Sequence, residues 1–150
     1  VIKTIVFIFL ILLDLLTKFL VQYNLPLNKS IKINEFSDLV YVQNFGVSFG
    51  LFSGYVSHWI LIFIASVVIL MIYILSMKSN KKFEKLAYFI IIIGALSNVI
   101  DRSINTFVVD FILLHYKNYY WPAFNLADIY ITIGIIMLLV SFFIESKNDK

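Results

Sequence analysis

Four long apolar stretches in a chain of 150 residues limit what it can fold into more than anything else in the sequence. A helix that crosses a bilayer needs about 20 mostly apolar residues. The clearest stretch, Trp59 to Met77, contains no charge. Another begins near Thr4, a third runs uncharged from Leu86 to Ile100, and the last runs from about Phe124 to Ile144. Hydrophobic residues make up 61% of the chain and charged ones 14%, with a mean hydropathy of +0.94. Soluble domains are usually about half apolar, so lipid has to cover part of this surface. In lipid each span must satisfy its own backbone hydrogen bonds, and stretches of this length then favour helices over strands. The expectation is an all-α membrane protein forming one integral membrane domain over residues 1–150. Its transmembrane helices fall at about 4–22, 57–77, 86–105 and 123–144, with longer connections at about 23–56 and 106–122.

The first stretch follows Lys3, as a cleavable leader would. Asp14 and Lys18 interrupt it, and no small-x-small site comes after it at Val21-Gln22-Tyr23, so it reads as a retained helix. Lysine placement gives the orientation. Lys3, Lys78, Lys81, Lys82, Lys85, Lys147 and Lys150 lie on one side, and Lys29, Lys32 and Lys117 on the other. Both termini and the 78–85 loop are therefore expected in the cytoplasm, and the two long connections outside. The pI near 9.1 then reflects basic cytoplasmic loops rather than nucleic-acid binding. Ile31-Lys32-Ile33 alternates, Leu39-Val40-Tyr41-Val42 is rich in strand formers, and Gly46 and Gly50 punctuate the same connection. A small extracytoplasmic antiparallel β-sheet on the membrane surface is expected there. The 106–122 connection is expected to be a short helix or loop. Tyr55, Trp59, Tyr119, Tyr120 and Trp121 suit an interfacial aromatic belt.

Ionisable residues inside spans are costly and point to function. Here they are grouped. Asp14 and Lys18, four apart, share a helix face. Asn98, Asp101, Arg102 and Asn105 form a stripe, as do Asn125, Asp128 and Thr132. Asp110 lies in the apolar run Phe107–Phe111. The topology puts Asp101, Asp110 and Asp128 at one level, the outer interface. Structural readings stand beside functional ones: Asp14–Lys18 as a helix-pairing salt bridge, Asp101–Arg102 as a capping and snorkelling pair, Asn98 and Asn125 as interhelical glue. Asp110 and Asp128 have no dedicated basic neighbour at helical spacing, and spacing alone leaves both readings open for them.

Two carboxyl groups sharing a site do not both ionise readily and titrate as a unit. The ionised member can take a proton from water while the protonated one polarises a carbonyl and protonates the leaving amine. Such a peptidase needs neither metal nor cofactor. The chain has no cysteine, hence no thiol nucleophile, thiolate ligand or disulfide. Its two histidines, His58 and His115, read as interfacial or surface residues.

The motifs together resemble the bacterial lipoprotein signal peptidases (signal peptidase II) over essentially the whole chain. The similarity runs through Asp14–Lys18, Asn44-Phe45-Gly46-Val47-Ser48-Phe49-Gly50, Gly94–Arg102, Val108-Val109-Asp110-Phe111 and Trp121–Asp128. Each motif is weak alone; five in order on the right helices are specific. The resemblance implies that Asp110 and Asp128 are a catalytic aspartyl dyad. Asn98, Asp101, Arg102 and Asn125 would support the site, with Asp14, Lys18 and Asn44 also in the family's recurrent set. It further implies a diacylglyceryl prolipoprotein substrate cut before its lipidated cysteine, inhibition by globomycin-type cyclic peptides, and a monomer in the bacterial inner membrane with its active site at the outer face. Leu15, Ile93, Ser97 and Ser48 depart from the family's usual glutamine, glycine, glycine and alanine.

Rival readings are a proton-coupled transporter, which would spread polar residues through the membrane depth, a non-catalytic assembly subunit, and a serine peptidase using Ser97 or Ser103 with His115.

Overall fold

In the computed structural model, which describes residues 1–46 and 56–148, four helices are long and apolar enough to cross a membrane. They are α1 (Ile2–Asn24), α2 (His58–Lys78), α3 (Lys82–Asn105) and α4 (Leu126–Asn148). The expectations placed on Val47, Ser48, Phe49, Gly50, Tyr55 and Lys150, and on the Lys147 side chain, lie outside the described residues. Each helix falls where an apolar stretch does, and the termini follow local chemistry. At α1, Leu25 turns extended before Pro26, because proline disfavours helical geometry in the residue it follows. At α3, Thr106 takes the left-handed conformation (φ 68°) and donates its N–H to Arg102 O, a common helix stop. α3 begins earlier than expected, taking in Lys82–Lys85, and α4 starts at Leu126 and continues past Ile144.

Large apolar side chains stay exposed along the helices: Trp59, Phe63, Leu70 and Met77 on α2, and Phe142 and Phe143 on α4. Exposed apolar area on this scale marks a surface that something else covers. With four such helices the chain is a multi-pass membrane protein. α3 packs closely on α4 because two glycines permit it. A Cβ on Gly94 would lie 2.3 Å from Ala127 O, and one on Gly134 would lie 2.7 Å from Ala87 O.

The sheet is four-stranded and antiparallel, in the order β1 (Ser30–Lys32), β2 (Ser37–Asn44), β3 (Val108–Tyr116), β4 (Tyr119–Tyr120). The expected strand formers supply β1 and β2. The 106–122 connection is not a helix or loop: it contributes β3 and β4. Its Val108-Val109 start is β-branched and gains partners by pairing with β2 more than sixty residues earlier in the chain, a non-local contact that local pattern does not display. Phe111 N, Ile112 N and Phe124 N complete the edge through Phe124 O and Ile112 O, so the chain returns beside Asp110 just before α4 begins. Val21, Leu25, Tyr41, Val109 and Phe111 form the apolar core where α1 meets the sheet.

Candidate active site

Register puts the first polar residues together. Ser37–Leu39 pair with Leu114–Ile112, but Val42 pairs with Asp110 and Asn44 with Val108, after a shift between Leu39 and Val42. That is one extra residue on β2, a bulge. Without it Gln43 would face Val108, since a one-residue slip turns every side chain to the opposite face. With it Asn44 is diagonal to Asp110, and its Nδ2 donates to Asp110 Oδ2 at 2.9 Å.

The second contribution comes from the start of α4. Asp128 N donates to Asn125 Oδ1 at 3.0 Å, and Asn125 N donates to Asp128 Oδ2 at 3.2 Å. This reciprocal pattern is a capping box. It fixes the Asn125 amide so that Nδ2 points at Asp110 Oδ1, 2.7 Å away. One asparagine therefore touches both carboxyl groups.

α1 and α3 close the site. Lys18 Nζ donates to Asn98 Oδ1 at 2.7 Å, and Asn98 Nδ2 donates to Asp128 Oδ1 at 3.0 Å. Lys18 also pairs with Asp14 at 2.8 Å and lies 3.5 Å from Asp101. Asp14 accepts Ala127 N and the Ser97 hydroxyl. Asp14, Lys18 and Ser97 are at most 1% exposed, so the expected Asp14–Lys18 pair exists and is buried.

Of the reading of Asp101 and Arg102 as a capping and snorkelling pair, the capping half holds and the snorkelling half does not. Asp101 accepts Val109 N at 2.8 Å and Asn105 Nδ2 at 2.7 Å, and so caps the start of β3. Arg102 turns away and donates to Gly46 O. Its Nε has no partner among the described residues. Both residues are buried, so neither snorkels.

The expected convergence of Asp110 and Asp128 is present. Among the described residues neither has an ion-pair partner within 4 Å; asparagine amides and the Asn125 N–H bind them instead. Burial, and then the neighbouring Asp128 charge, push the Asp110 carboxyl up to about 7, against the pull of Asn44, Asn125 and Lys18. A group titrating there holds a proton at near-neutral pH, unlike an ordinary aspartate.

The other candidates lie elsewhere. His58 lies against Trp59 with its ring tilted by 40°. His115 binds Asp38 at 3.2 Å, and Ser103 donates to Val99 O, so no serine–histidine pair forms among the described residues. Among the described residues the buried polar side chains extend from Asp14, midway along α1, to the sheet end of the helices. Sequence reading did not single out Ser97 as a ligand of Asp14 or Asn125-x-x-Asp128 as a capping box. The second was legible from the cap spacing alone.

A sequence profile of signal peptidase (SPase) II matches residues 6–144. The chain belongs to this family. It is 43% identical over 138 residues to a lipoprotein signal peptidase of Thermodesulfovibrio yellowstonii, covering 91% of this chain and 92% of that one. It is 35% identical over 147 residues to one from Clostridium novyi, covering 97% and 99%. Two solved structures of a bacterial membrane enzyme, obtained by the in meso method, share 26% of its sequence. The one at 2.3 Å superposes with a TM-score of 0.89 over 99% of this chain and 91% of that chain. The one at 1.9 Å gives 0.81 over 93% and 91%. As a member of the signal peptidase II family, the chain is a membrane peptidase.

Proposed function

We propose that the protein is an aspartic endopeptidase that removes the signal peptide from diacylglyceryl-modified prolipoproteins, cutting before the lipidated cysteine. The observation that carries the reading is the single Asn125 side chain and N–H bound to both Asp110 and Asp128, in a site where no cation among the described residues pairs with either carboxyl group. Asp110, pushed up to about 7, is the proton holder. It polarises the scissile carbonyl and later protonates the leaving amine. Asp128, seated in the first turn of α4, where the positive end of the helix dipole favours an anion, is the base that takes a proton from the attacking water. Water adds to the carbonyl carbon, and the tetrahedral intermediate collapses with the C–N bond breaking, so no covalent enzyme intermediate arises. Asn44, Asn98, Asn125, Asp101, Arg102, Asp14 and Lys18 hold this geometry.

The substrate's acyl chains remain in lipid and its signal helix lies against the enzyme's helices. Binding energy from those remote parts positions the scissile bond. The sheet and the 106–122 segment lie outside the cytoplasmic membrane, over the site, with both termini inside. The protein acts as a monomer and is inhibited by globomycin-type cyclic peptides.

Purified protein in detergent, given a lipobox peptide carrying a diacylglyceryl cysteine and the same peptide unmodified, tests the substrate. Cleavage of the lipidated peptide alone, with lipidated cysteine as the new N-terminus by mass spectrometry, is expected. Equal cleavage of both peptides, or of neither, would overturn it.

A further inference from the structure

On α3, Ser97 and Asn98 are consecutive and serve the two ends of one polar chain. Asn98 reaches Asp128 directly. Ser97 reaches it from behind: its hydroxyl donates to Asp14 Oδ2 at 2.7 Å, and Asp14 Oδ1 accepts Ala127 N at 2.9 Å. Ala127 immediately precedes Asp128, and its N–H is one of the first-turn donors that a helix cannot satisfy internally. Asp14 thus binds the backbone of the turn that carries Asp128, and Lys18 and Ser97 hold Asp14. Ser97, Asp14 and Ala127 are each 0% exposed, so bulk water does not compete with the hydroxyl for Asp14. Gly94, one turn before Ser97, lets Ala127 approach α3 this closely.

We propose that Ser97 is a positioning residue for the peptidase reaction: its hydroxyl orients the Asp14 carboxylate, which in turn sets the first turn of α4 and the placement of Asp128. This rests on the reading of Asp110 and Asp128 as the catalytic pair. The serine stands at a position where the resemblance gives glycine, so the extra donor is a property of this chain. Loss of the hydroxyl leaves Asp14 held at Oδ2 by Lys18 and at Oδ1 by Ala127 N, with one fewer donor fixing the plane of its carboxylate. The acceptor of Ala127 N, and the turn with it, is then held less firmly. Ser97 binds Asp14 of α1 and neither Asp110 nor Asp128 directly, so substrate binding is expected to be unchanged. The effect therefore falls on kcat. The ionisable groups around Asp128 are Asp14 and Lys18 of α1, Arg102 of α3 and Asp110 of β3, with Tyr130 of α4 beside Asp14 and Asp101 of α3 beside Lys18; none of them changes its chemical identity in a Ser97 variant.

The test measures kcat, KM and thermal stability in detergent for the parent, Ser97→Ala, Asp14→Asn and the double variant, on a diacylglyceryl lipobox peptide. The expected result for Ser97→Ala is a fall in kcat of about three- to tenfold, less than the full worth of a hydrogen bond to a charged group because the loss reaches Asp128 only through Asp14 and Ala127, with KM and folded yield unchanged. In the Asp14→Asn background the same change should have no further effect, since the pathway is already cut. Unchanged kcat in Ser97→Ala, or a loss that adds in full to that of Asp14→Asn, overturns the proposal. Should Asp14→Asn not fold, Ser97→Gly decides: an equal fall in the alanine and glycine variants supports the hydroxyl, and a fall in only one reflects packing and overturns it. A parent that fails to cleave the peptide rejects the peptidase reading itself; a parent that cleaves, with Ser97→Ala as active as it is, rejects only the role of Ser97.

Discussion

Asn44, Asn98 and Asn125 each direct a carbonyl oxygen at a fixed donor, respectively Gly46 N, Lys18 Nζ and Asp128 N. That leaves each NH2 turned toward a carboxyl group. An amide carries no net charge, so it orients Asp110 and Asp128 without locking both in the ionised form. Asn125→Ala removes the Nδ2 donor to Asp110 and the side-chain acceptor of Asp128 N while keeping the backbone N–H that binds the Asp128 carboxyl, and kcat should fall on the order of a hundredfold, the usual cost of one preorganised donor. A steady-state assay on the lipidated peptide checks it. The Asp110 carboxyl at about 7 makes two pH predictions. If its proton is needed, kcat/KM declines as pH rises through about 7, because that ratio reports the free enzyme; a flat profile there would count against Asp110 as the acid. Its folded-state value is raised above the unfolded one near 3.9, so its contribution to stability is fully present below about 4 and is lost as pH climbs through about 7. Thermal stability should fall across that window in the parent, and Asp110→Asn should flatten the slope. The carboxyl and amide residues could be picked out from the sequence because charge inside apolar stretches is conspicuous. Their wiring could not. Asp101 and Arg102 are neighbours in sequence, yet successive helix positions point about 100° apart, and they serve different partners.

At the scale of elements, the four helices were legible because a span is a local property: length and apolarity suffice. The sheet was half legible. β1 and β2 carry alternation and strand formers in one segment, whereas β3 exists only through its pairing with β2. The bulge that brings Asn44 rather than Gln43 toward Asp110 is equally a property of the pair. α3 and α4 meet through Gly94 and Gly134, and the two glycines should differ in effect. Gly94→Ala pushes directly on Ala127 O, beside the turn that carries Asp128, so activity and stability should both fall, stability by about 1–3 kcal/mol as for other overpacked sites. Gly134→Ala pushes on Ala87 O and Ile91, farther along α4, so stability should fall more than activity. Thermal melts beside kcat separate the two. Thr106 is a β-branched residue at φ 68°, a strained conformation that glycine adopts freely. Thr106→Gly is therefore expected to raise stability by about 1 kcal/mol or less, because added chain entropy in the unfolded state offsets part of the relief.

Taken whole, the molecule has two unlike ends. The sheet and the buried polar cluster occupy one. At the other, Lys81 pairs with Glu84 and Glu145 and Ser141 donates to Glu84, tying the 79–81 turn to α4. The absence of cysteine makes orientation directly testable. A cysteine placed at Lys117 should react with an impermeant thiol reagent applied to intact spheroplasts, and one at Lys81 only after lysis; the reverse would invert the proposed topology. The central claim is that Asp110 and Asp128 act as one catalytic pair. The most direct measurement is cleavage of a diacylglyceryl lipobox peptide by purified parent, Asp110→Asn and Asp128→Asn, each confirmed as folded. The prediction is cleavage by the parent and a loss of at least about a thousandfold in both variants, as expected when either half of an acid–base pair is removed. Parent-like activity in either variant would contradict it.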